Sequence, residues 1–420
     1  MNLKMYLPTA IIVHFGHEYY NIATNFSAKE DVMRLAKRVA DIGESVTLGI
    51  TSKAKQMAKE GIDVVNFAAG EPDFDTPVHI KQAAIKAINE GFTKYTPSSG
   101  MLELREAISK KLKKDNNLDY SPSQIVVSNG AKHALYNIFQ AICERGGEVI
   151  IPSPYWLSYP AMANLSEAKS VFIKTSAKNN FKITGKDLAS KITKNTKCLI
   201  LNSPSNPTGS LYELNELEEI AKLAVKNKFF VISDEIYERI VYDNKKCISI
   251  ASLGKDIYGL VITVNGVSKS YSMTGWRIGY AAGPVEVMKA AANVQSHATS
   301  NPASISQKAA LAALTGDQRC VENMRAEFEK RRDLMISRIN KMKNIFCVKP
   351  EGAFYIFCDI SKLKESSVVI ANRLLKEAKV AVIPGEPFGA DTFIRLSFAA
   401  NVGTINIGLD RIGEWLNKNG

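Results

Sequence analysis

No C-x-x-C pair occurs among the six cysteines of this 420-residue chain (143, 198, 247, 320, 347 and 358), and most of them lie in apolar runs. That pattern fits reduced, buried thiols better than a disulfide framework or a zinc site. Histidine is scarce, with five in all. His14 and His17 are near neighbours, but no second ligand pair accompanies them, so no metal is expected. No apolar run approaches the roughly 20 residues of a membrane span. The first 32 residues contain no arginine and do contain Glu18, Glu30 and Asp31, which argues against a mitochondrial presequence. Their apolar patch, Leu7 to Val13, is interrupted by Pro8 and lacks a small-residue cleavage site, which argues against a signal peptide. Internal repeats and low-complexity segments are missing too. A cytoplasmic protein with a dispensable extension at 1–32 is the expectation.

What is present is an ordinary globular composition, 45% hydrophobic and 23% charged, with a net charge of +12. The densest basic stretches, Lys110 to Lys114 and Lys330 to Arg332, have acidic neighbours and read as solvated helix faces. No aromatic-interleaved basic stripe accompanies them, so nucleic acid is not an expected partner. Small anionic ligands remain compatible with the charge.

Residues 34–61 read as a helical lead-in capped by Gly61, followed by a short strand at 62–68 and a turn-rich stretch, Ala69 to Pro77. Thr76-Pro77 supplies the N-cap and N1 of a helix to Gly91, and 101–114 forms another. From about 124 the pattern becomes strand, turn, helix, repeated, with apolar strands near 125–128, 148–152, 170–174, 197–202, 229–233 and 260–265. Such alternation implies a parallel or mixed sheet covered on both faces, with ligands beyond the strands' carboxyl ends. A single long helix is expected over 303–342. It leads to a smaller α+β unit with strands near 352–359, 380–383 and 392–398 and a final helix near 404–418.

Several motifs fall at those strand ends. Lys269 sits in a turn of small and hydroxyl residues between two apolar runs. Desolvation there would lower its pKa and make it a nucleophile able to join an aldehyde cofactor; a solvated turn lysine is the plain alternative. Asn129-Gly130-Ala131-Lys132 joins a strand to a helix, as a phosphate seat or as an ordinary turn. Asn202 to Gly209, with two prolines and a glycine, could hold the Asn206 amide rigidly. Asp234 ends a buried strand, where a carboxylate needs a partner such as a protonated heterocycle, unless it caps a following helix. Arg277 could bind phosphate. Arg395 could clamp a carboxylate bidentately or form a structural ion pair.

In this order the motifs Gly70 to Pro77, Ser153 to Trp156, Asn202 to Gly209, Ser233 to Tyr237, Ser268 to Gly279 and Arg395 to Ser397 resemble the class I and II aminotransferases. These are the fold-type I enzymes that use pyridoxal 5′-phosphate, and the likeness runs from about 34 to 418. Within them it is greatest to the bacterial branch of aspartate and aspartate/prephenate aminotransferases. The resemblance implies an α/β fold with a mixed, mostly parallel seven-stranded sheet in a large cofactor-binding domain (76–309). A small α+β domain would comprise 33–75 and 310–420. It implies Lys269 as the Schiff-base lysine and proton shuttle, and Asp234 as partner of the ring nitrogen. Asn206 and Tyr237 would bond the ring oxygen, and Trp156 would stack on the ring. Gly130, Ala131, Lys132, Ser268, Arg277 and a partner subunit's Tyr95 would surround the phosphate in a homodimer. Arg395, Asn206, Trp156 and the Gly70 backbone would hold the substrate α-carboxylate.

Ping-pong exchange between amino acids and 2-oxo acids follows from that assignment, with L-aspartate and 2-oxoglutarate as the expected pair and prephenate as a further acceptor. The stretch Ser296 to Pro302 lacks the arginine with which many such enzymes read a distal carboxylate, and in the similar branch a lysine at the position of Lys132 is implicated, aided by residues near Ser45 and Thr47. An aromatic or kynurenine aminotransferase, a C–S lyase, and a ligand-sensing regulator built on the same fold are the rival readings.

Overall fold

The structure, a computed structural model, describes residues 36–419 except 41, 42, 44 and 45. The extension, His14, His17 and Ser45 therefore lie outside the described residues. The side chain of Thr47 does too, although its backbone lies in the helix Val46–Lys59. The strands, in chain order, begin with β1 (Val65–Asn66), much shorter than expected. The next seven form one sheet: β2 (Ile125–Ser128), β3 (Glu148–Ser153), β4 (Lys169–Lys174), β5 (Thr196–Asn202), β6 (Phe230–Asp234), β7 (Val261–Gly266) and β8 (Gly279–Ala282). Five more follow: β9 (Phe346–Cys347), β10 (Tyr355–Asp359), β11 (Val380–Ala381), β12 (Ile383–Pro384) and β13 (Phe393–Ser397).

The large sheet runs β2-β8-β7-β6-β5-β3-β4. Only β8 is antiparallel, pairing with β2 on one side and β7 on the other. The other six therefore share a direction and bring Ser128, Ser153, Asn202, Asp234 and Gly266 to one edge. Burial on both faces explains why these strands read as continuous Val/Ile/Leu runs. Val126, Ile151, Ile200, Ile232 and Ile262 pack beneath the helices Ala131–Ile142, Ser158–Leu165 and Val285–Ala298. Val127, Ile150, Leu199, Val231 and Val261 face the opposite core, with Leu104, Ile108, Leu217 and Ala309.

A second core forms around the four-stranded sheet β12-β13-β10-β9, where Phe328, Phe354, Ile356, Leu396, Leu409 and Trp415 interlock. β1 pairs in parallel with β11 beside it, which ties the lead-in to the carboxyl-terminal part of the chain. All six cysteines are unpaired; Cys347 and Cys358 face each other across β9 and β10. Among the described residues no helix is long and apolar enough to cross a membrane.

Three expectations need correcting. The helix expected over 303–342 is two, Ser304–Thr315 and Arg319–Ile339, because the chain breaks at Gly316-Asp317. Gly316 packs so closely that a Cβ would lie 2.7 Å from the Ala312 carbonyl oxygen and 2.9 Å from His79 Nε2. Thr76 caps no helix. The helix starts at Val78 after Pro77, and the Thr76 hydroxyl donates instead to the Ser272 carbonyl at 2.6 Å. The Lys330 to Arg332 stretch is not a solvated face, because Arg331 and Arg332 are buried.

Arg332 is wholly enclosed. Its guanidinium forks onto Asp243 at 2.7 and 2.9 Å, bonds Asp333, and lies over the Tyr242 ring at 4.6 Å. Removing one member of such a pair is costly, though Asp243 keeps some water and its bond from Lys349. Arg332→Ala is expected to lower unfolding stability by about 2–3 kcal/mol. A denaturant midpoint unchanged from the parent chain would refute this account of the pair.

Candidate active site

The shared strand edge carries the site. β7 ends at Gly266, and the chain turns through 267–278 before returning as β8. The return is tight because Gly279 passes directly beneath the start of the helix Ala131–Ile142. A Cβ there would sit 2.1 Å from the Ala131 nitrogen, so no side chain fits. Within the turn, Ser272 and Arg277 both adopt left-handed backbone, at φ of 51° and 57°. That conformation is uncommon for residues with a Cβ and accumulates where a site is held in a fixed shape.

Residues 70–76 close over this turn. Lys269 Nζ donates to the Gly70 carbonyl at 2.5 Å, Thr274 to the Glu71 carboxylate at 2.8 Å, and Trp276 Nε1 to the Thr76 hydroxyl at 3.0 Å. Asp73 is held from outside by Arg331 at 2.7 Å. Under this cover, burial pushes the Lys269 amine down to about 8; Glu71 opposes the shift, Arg395 and Arg277 add to it, and Asp234 opposes it. Lys269 is thus a half-buried amine bonded to the Gly70 carbonyl rather than a freely solvated turn lysine.

Asp234 ends β6 with 3% of its surface exposed. It caps no helix, since residues 236–239 form turns. Its Oδ2 accepts from the Tyr159 hydroxyl at 2.8 Å and its Oδ1 from the Ile236 amide at 3.3 Å. Burial raises its pKa to about 6, while the Tyr159 and Ile236 hydrogen bonds and the Lys269 charge pull it back. It has no ion-pair partner among the described residues.

Arg395 is equally isolated. The guanidinium on β13 is buried and donates to Asn206 Oδ1 at 2.9 Å and to the Ala68 carbonyl at 3.2 Å, while its Nε is buried without an acceptor. The ring of Tyr355 lies 4.3 Å from it, and burial holds its pKa below the ordinary value. No carboxylate pairs with it among the described residues, so the structural ion-pair alternative fails. Asn206 is fixed in turn, its amide N–H donating to Asn202 Oδ1 at 2.8 Å and the Asn202 side chain donating to the Asp234 carbonyl at 2.9 Å.

The Tyr237 and Tyr355 hydroxyls meet at 2.9 Å, and burial raises both pKa values. At the other end of the cleft, Gly130 (φ +88°) precedes the helix Ala131–Ile142. A Cβ on it would lie 2.4 Å from Arg277 Nη2. The first N–H groups of this helix have no intrahelical acceptor, and the Arg277 guanidinium lies against Gly130 just before them, an arrangement suited to a phosphate. Ser268 is buried in the lysine turn. Trp156 meets Tyr159 edge-on at 5.3 Å and carries the Lys132 amine 4.8 Å from its ring. Partial desolvation, then the Arg277 charge, lower the Lys132 pKa. Tyr95, 91% exposed, joins none of these groups within the chain.

Two contributors escaped the sequence reading. Tyr159, three residues beyond Trp156, supplies the hydroxyl on Asp234. Tyr355 carries one face of the Arg395 guanidinium, and its alternation with Phe357 in β10 was the only available signal. Among the described residues, no cluster of three His, Cys, Asp or Glu side chains could hold a metal ion.

This is an α/β chain in which a lysine of lowered pKa, a buried carboxylate and a buried guanidinium, the last two without ion-pair partners among the described residues, line one cleft. Residues 62–412 match the family model described as aminotransferase class I and II, and the chain belongs to that family. It is 47% identical over 392 residues to an aspartate aminotransferase of Geobacillus stearothermophilus, covering 91% of this chain and 99% of that one. It is also 47% identical over 379 residues to a probable aspartate/prephenate aminotransferase of Rickettsia conorii, covering 88% and 94%. Among solved structures, the aspartate aminotransferase of Rhizobium meliloti superposes with a TM-score of 0.89 at 40% identity, covering 93% of this chain and 100% of that one. That of Thermus thermophilus with maleate gives 0.88 at 41%, covering 91% and 100%. The fold is that of the fold-type I aminotransferases.

In cofactor-free protein, Lys269 is expected to react with acetic anhydride with a half-titration near pH 8, against about 10.4 for an ordinary lysine. Peptide mass spectrometry across a pH series reads this directly. Titration together with the surface lysines would contradict the desolvated turn.

Proposed function

We propose that the chain is a pyridoxal 5′-phosphate-dependent aspartate aminotransferase, acting as a cytoplasmic homodimer on L-aspartate and 2-oxoglutarate. The observation that carries this is Arg395, a buried guanidinium with an orphaned Nε and no carboxylate partner among the described residues. Such a group stays costly until an anion arrives, and a planar fork matches an α-carboxylate.

The residues present fit the cofactor. Asp234 is a buried carboxylate awaiting a cation, which a protonated ring nitrogen would provide. Gly130, Ala131, Lys132, Ser268 and Arg277 would seat the phosphate, Trp156 would lie on the ring, and Asn206 and Tyr237 would bond its oxygen. When bound, the cofactor supplies an electron-withdrawing ring that stabilises negative charge at the amino acid's Cα. Arg395 and Asn206, with Trp156 and the Gly70 backbone, would fix the α-carboxylate and so orient the Cα–H bond toward Lys269. The Lys269 amine, lowered to about 8, takes that proton as base and returns it as acid, a match of pKa to working pH that favours transfer in both directions. Residues 70–76 exclude water above it.

The second carboxylate of aspartate would meet Lys132, which has no carboxylate partner among the described residues; Ser45 and Thr47 are proposed to assist. Tyr95 supports a homodimer, since it is the kind of exposed aromatic that a partner's site would cover. Val78, Ile85 and Ile88 are also exposed along the helix Val78–Asn89. The large unit is proposed as 76–309 and the small one as 33–75 with 310–420.

Aspartate added to the cofactor-loaded protein should convert the visible absorption band to that of the amine form, and 2-oxoglutarate or prephenate should restore it. An unchanged spectrum with aspartate defeats the assignment. Lys132→Ala is expected to lower kcat/KM for aspartate and glutamate about 10–100-fold, in line with loss of one charge-assisted contact, and to spare uncharged amino acids. An equal loss for all substrates would remove Lys132 from side-chain recognition.

A further inference from the structure

Behind the lysine turn lies a second concavity of about 700 Å³, separate from the cleft just described. Its walls are the carboxyl-terminal half of the helix Leu102–Asn116, the segment 238–247, and the junction of the helices Ser304–Thr315 and Arg319–Ile339. Seven lysine and arginine side chains line it against three acids. Four of the seven are already paired: Lys111 with Glu238, Arg239 with Asp115, Lys245 with Glu351, and Arg325 with Glu322 and Glu329. Lys110, Lys114 and Lys246 have no acidic partner among the described residues.

Their placement is unfavourable for the chain alone. Lys110 and Lys114 stand at i and i+4 on one helix face, where like charges cost a few tenths of a kcal/mol. Lys246 lines the same groove from the segment 238–247, although acidic side chains are available to the helix elsewhere: Lys113, on a different face, pairs with Asp119. A cleft with an excess of one sign of charge, here seven cations against three acids, concentrates counter-ions. The volume falls within the range of small-molecule sites, roughly 300–1,000 Å³. We infer that this groove binds a small polyanion carrying three or more negative charges, of the polyphosphate or polycarboxylate class, through Lys110, Lys114 and Lys246.

Tyr271 forms part of the groove wall two residues after Lys269, so the groove and the cleft lie on opposite sides of one turn. Occupancy of one is therefore distinguishable from occupancy of the other. The test uses full-length protein loaded with pyridoxal 5′-phosphate, in excess 2-oxoglutarate to fill the cleft. Inorganic tripolyphosphate and citrate are titrated separately by calorimetry at low salt. Saturable binding of one anion per chain is expected, weakening as salt rises. In the Lys110→Gln, Lys114→Gln, Lys246→Gln triple variant, affinity should fall at least tenfold with transamination unchanged. Tighter tripolyphosphate than citrate assigns the phosphate class, and the reverse order the carboxylate class. Absent saturation, equal binding by the triple variant, or binding abolished by 2-oxoglutarate would overturn the proposal, the last by placing the anion in the cleft.

Discussion

Two charges of opposite sign, the Asp234 carboxylate on the large sheet and the Arg395 guanidinium on the small one, are buried at one cleft without a counter-ion among the described residues, and much of the surrounding architecture serves to hold them there. An isolated ion in a protein interior costs several kcal/mol even after relaxation. Neutral dipoles meet part of that cost: Tyr159 and the Ile236 amide at Asp234, Asn206 and the Ala68 carbonyl at Arg395. Neither network neutralises its ion. The raised pKa of Asp234 and the orphaned Arg395 Nε are two signs of one incomplete solvation. The cores on both faces of the large sheet and around β10 and β13 supply the stability that such a site draws down.

The lysine turn shows how backbone geometry sets chemistry. Gly279 lets β8 run under a helix start, which places Arg277 against Gly130 and aims the first amides of that helix into the cleft. The segment 70–76 then bonds the turn at three points, and Lys269 is left half-buried. Its lowered pKa is a product of this cover more than of any neighbouring charge, because Glu71 and Asp234 act in the opposite direction. A change in how residues 70–76 sit would alter the Lys269 amine, through its cover and its bond to the Gly70 carbonyl.

What could be read from the chain beforehand was whatever leaves a local trace. The apolar strands, Asp234 after Phe230 to Ser233, and the lysine among small residues all carry local patterns, and all fall at the observed strand edge. Tyr159 and Tyr355 left almost none, because their value lies in meeting Asp234 from 75 residues away and Arg395 from the neighbouring strand of one sheet. Thr76 was misread for a related reason. Ser/Thr before proline is an N-cap pattern, yet a partner 196 residues away took the hydroxyl. The lack of room for a side chain at Gly316 depends in part on His79, and the burial of Arg331 and Arg332 on Asp73 and Asp243, which no window of neighbouring residues contains.

The cleft divides into a rigid part and an adjustable part. Asn206 and Arg395 are locked by hydrogen bonds on more than one side. Lys132 is different: its long stem reaches into solvent, and its amine rests on Trp156 beside Arg277. Desolvation and the Arg277 charge both make it easier to deprotonate than an ordinary lysine. A second carboxylate placed next to it would push the other way and favour the protonated form. Proton and dicarboxylate would then reinforce each other's binding at that amine, because coupling between two ligands of one protein is reciprocal. Discrimination by such a group rests on charge more than on shape, which leaves room for side chains of different size to enter the same cleft.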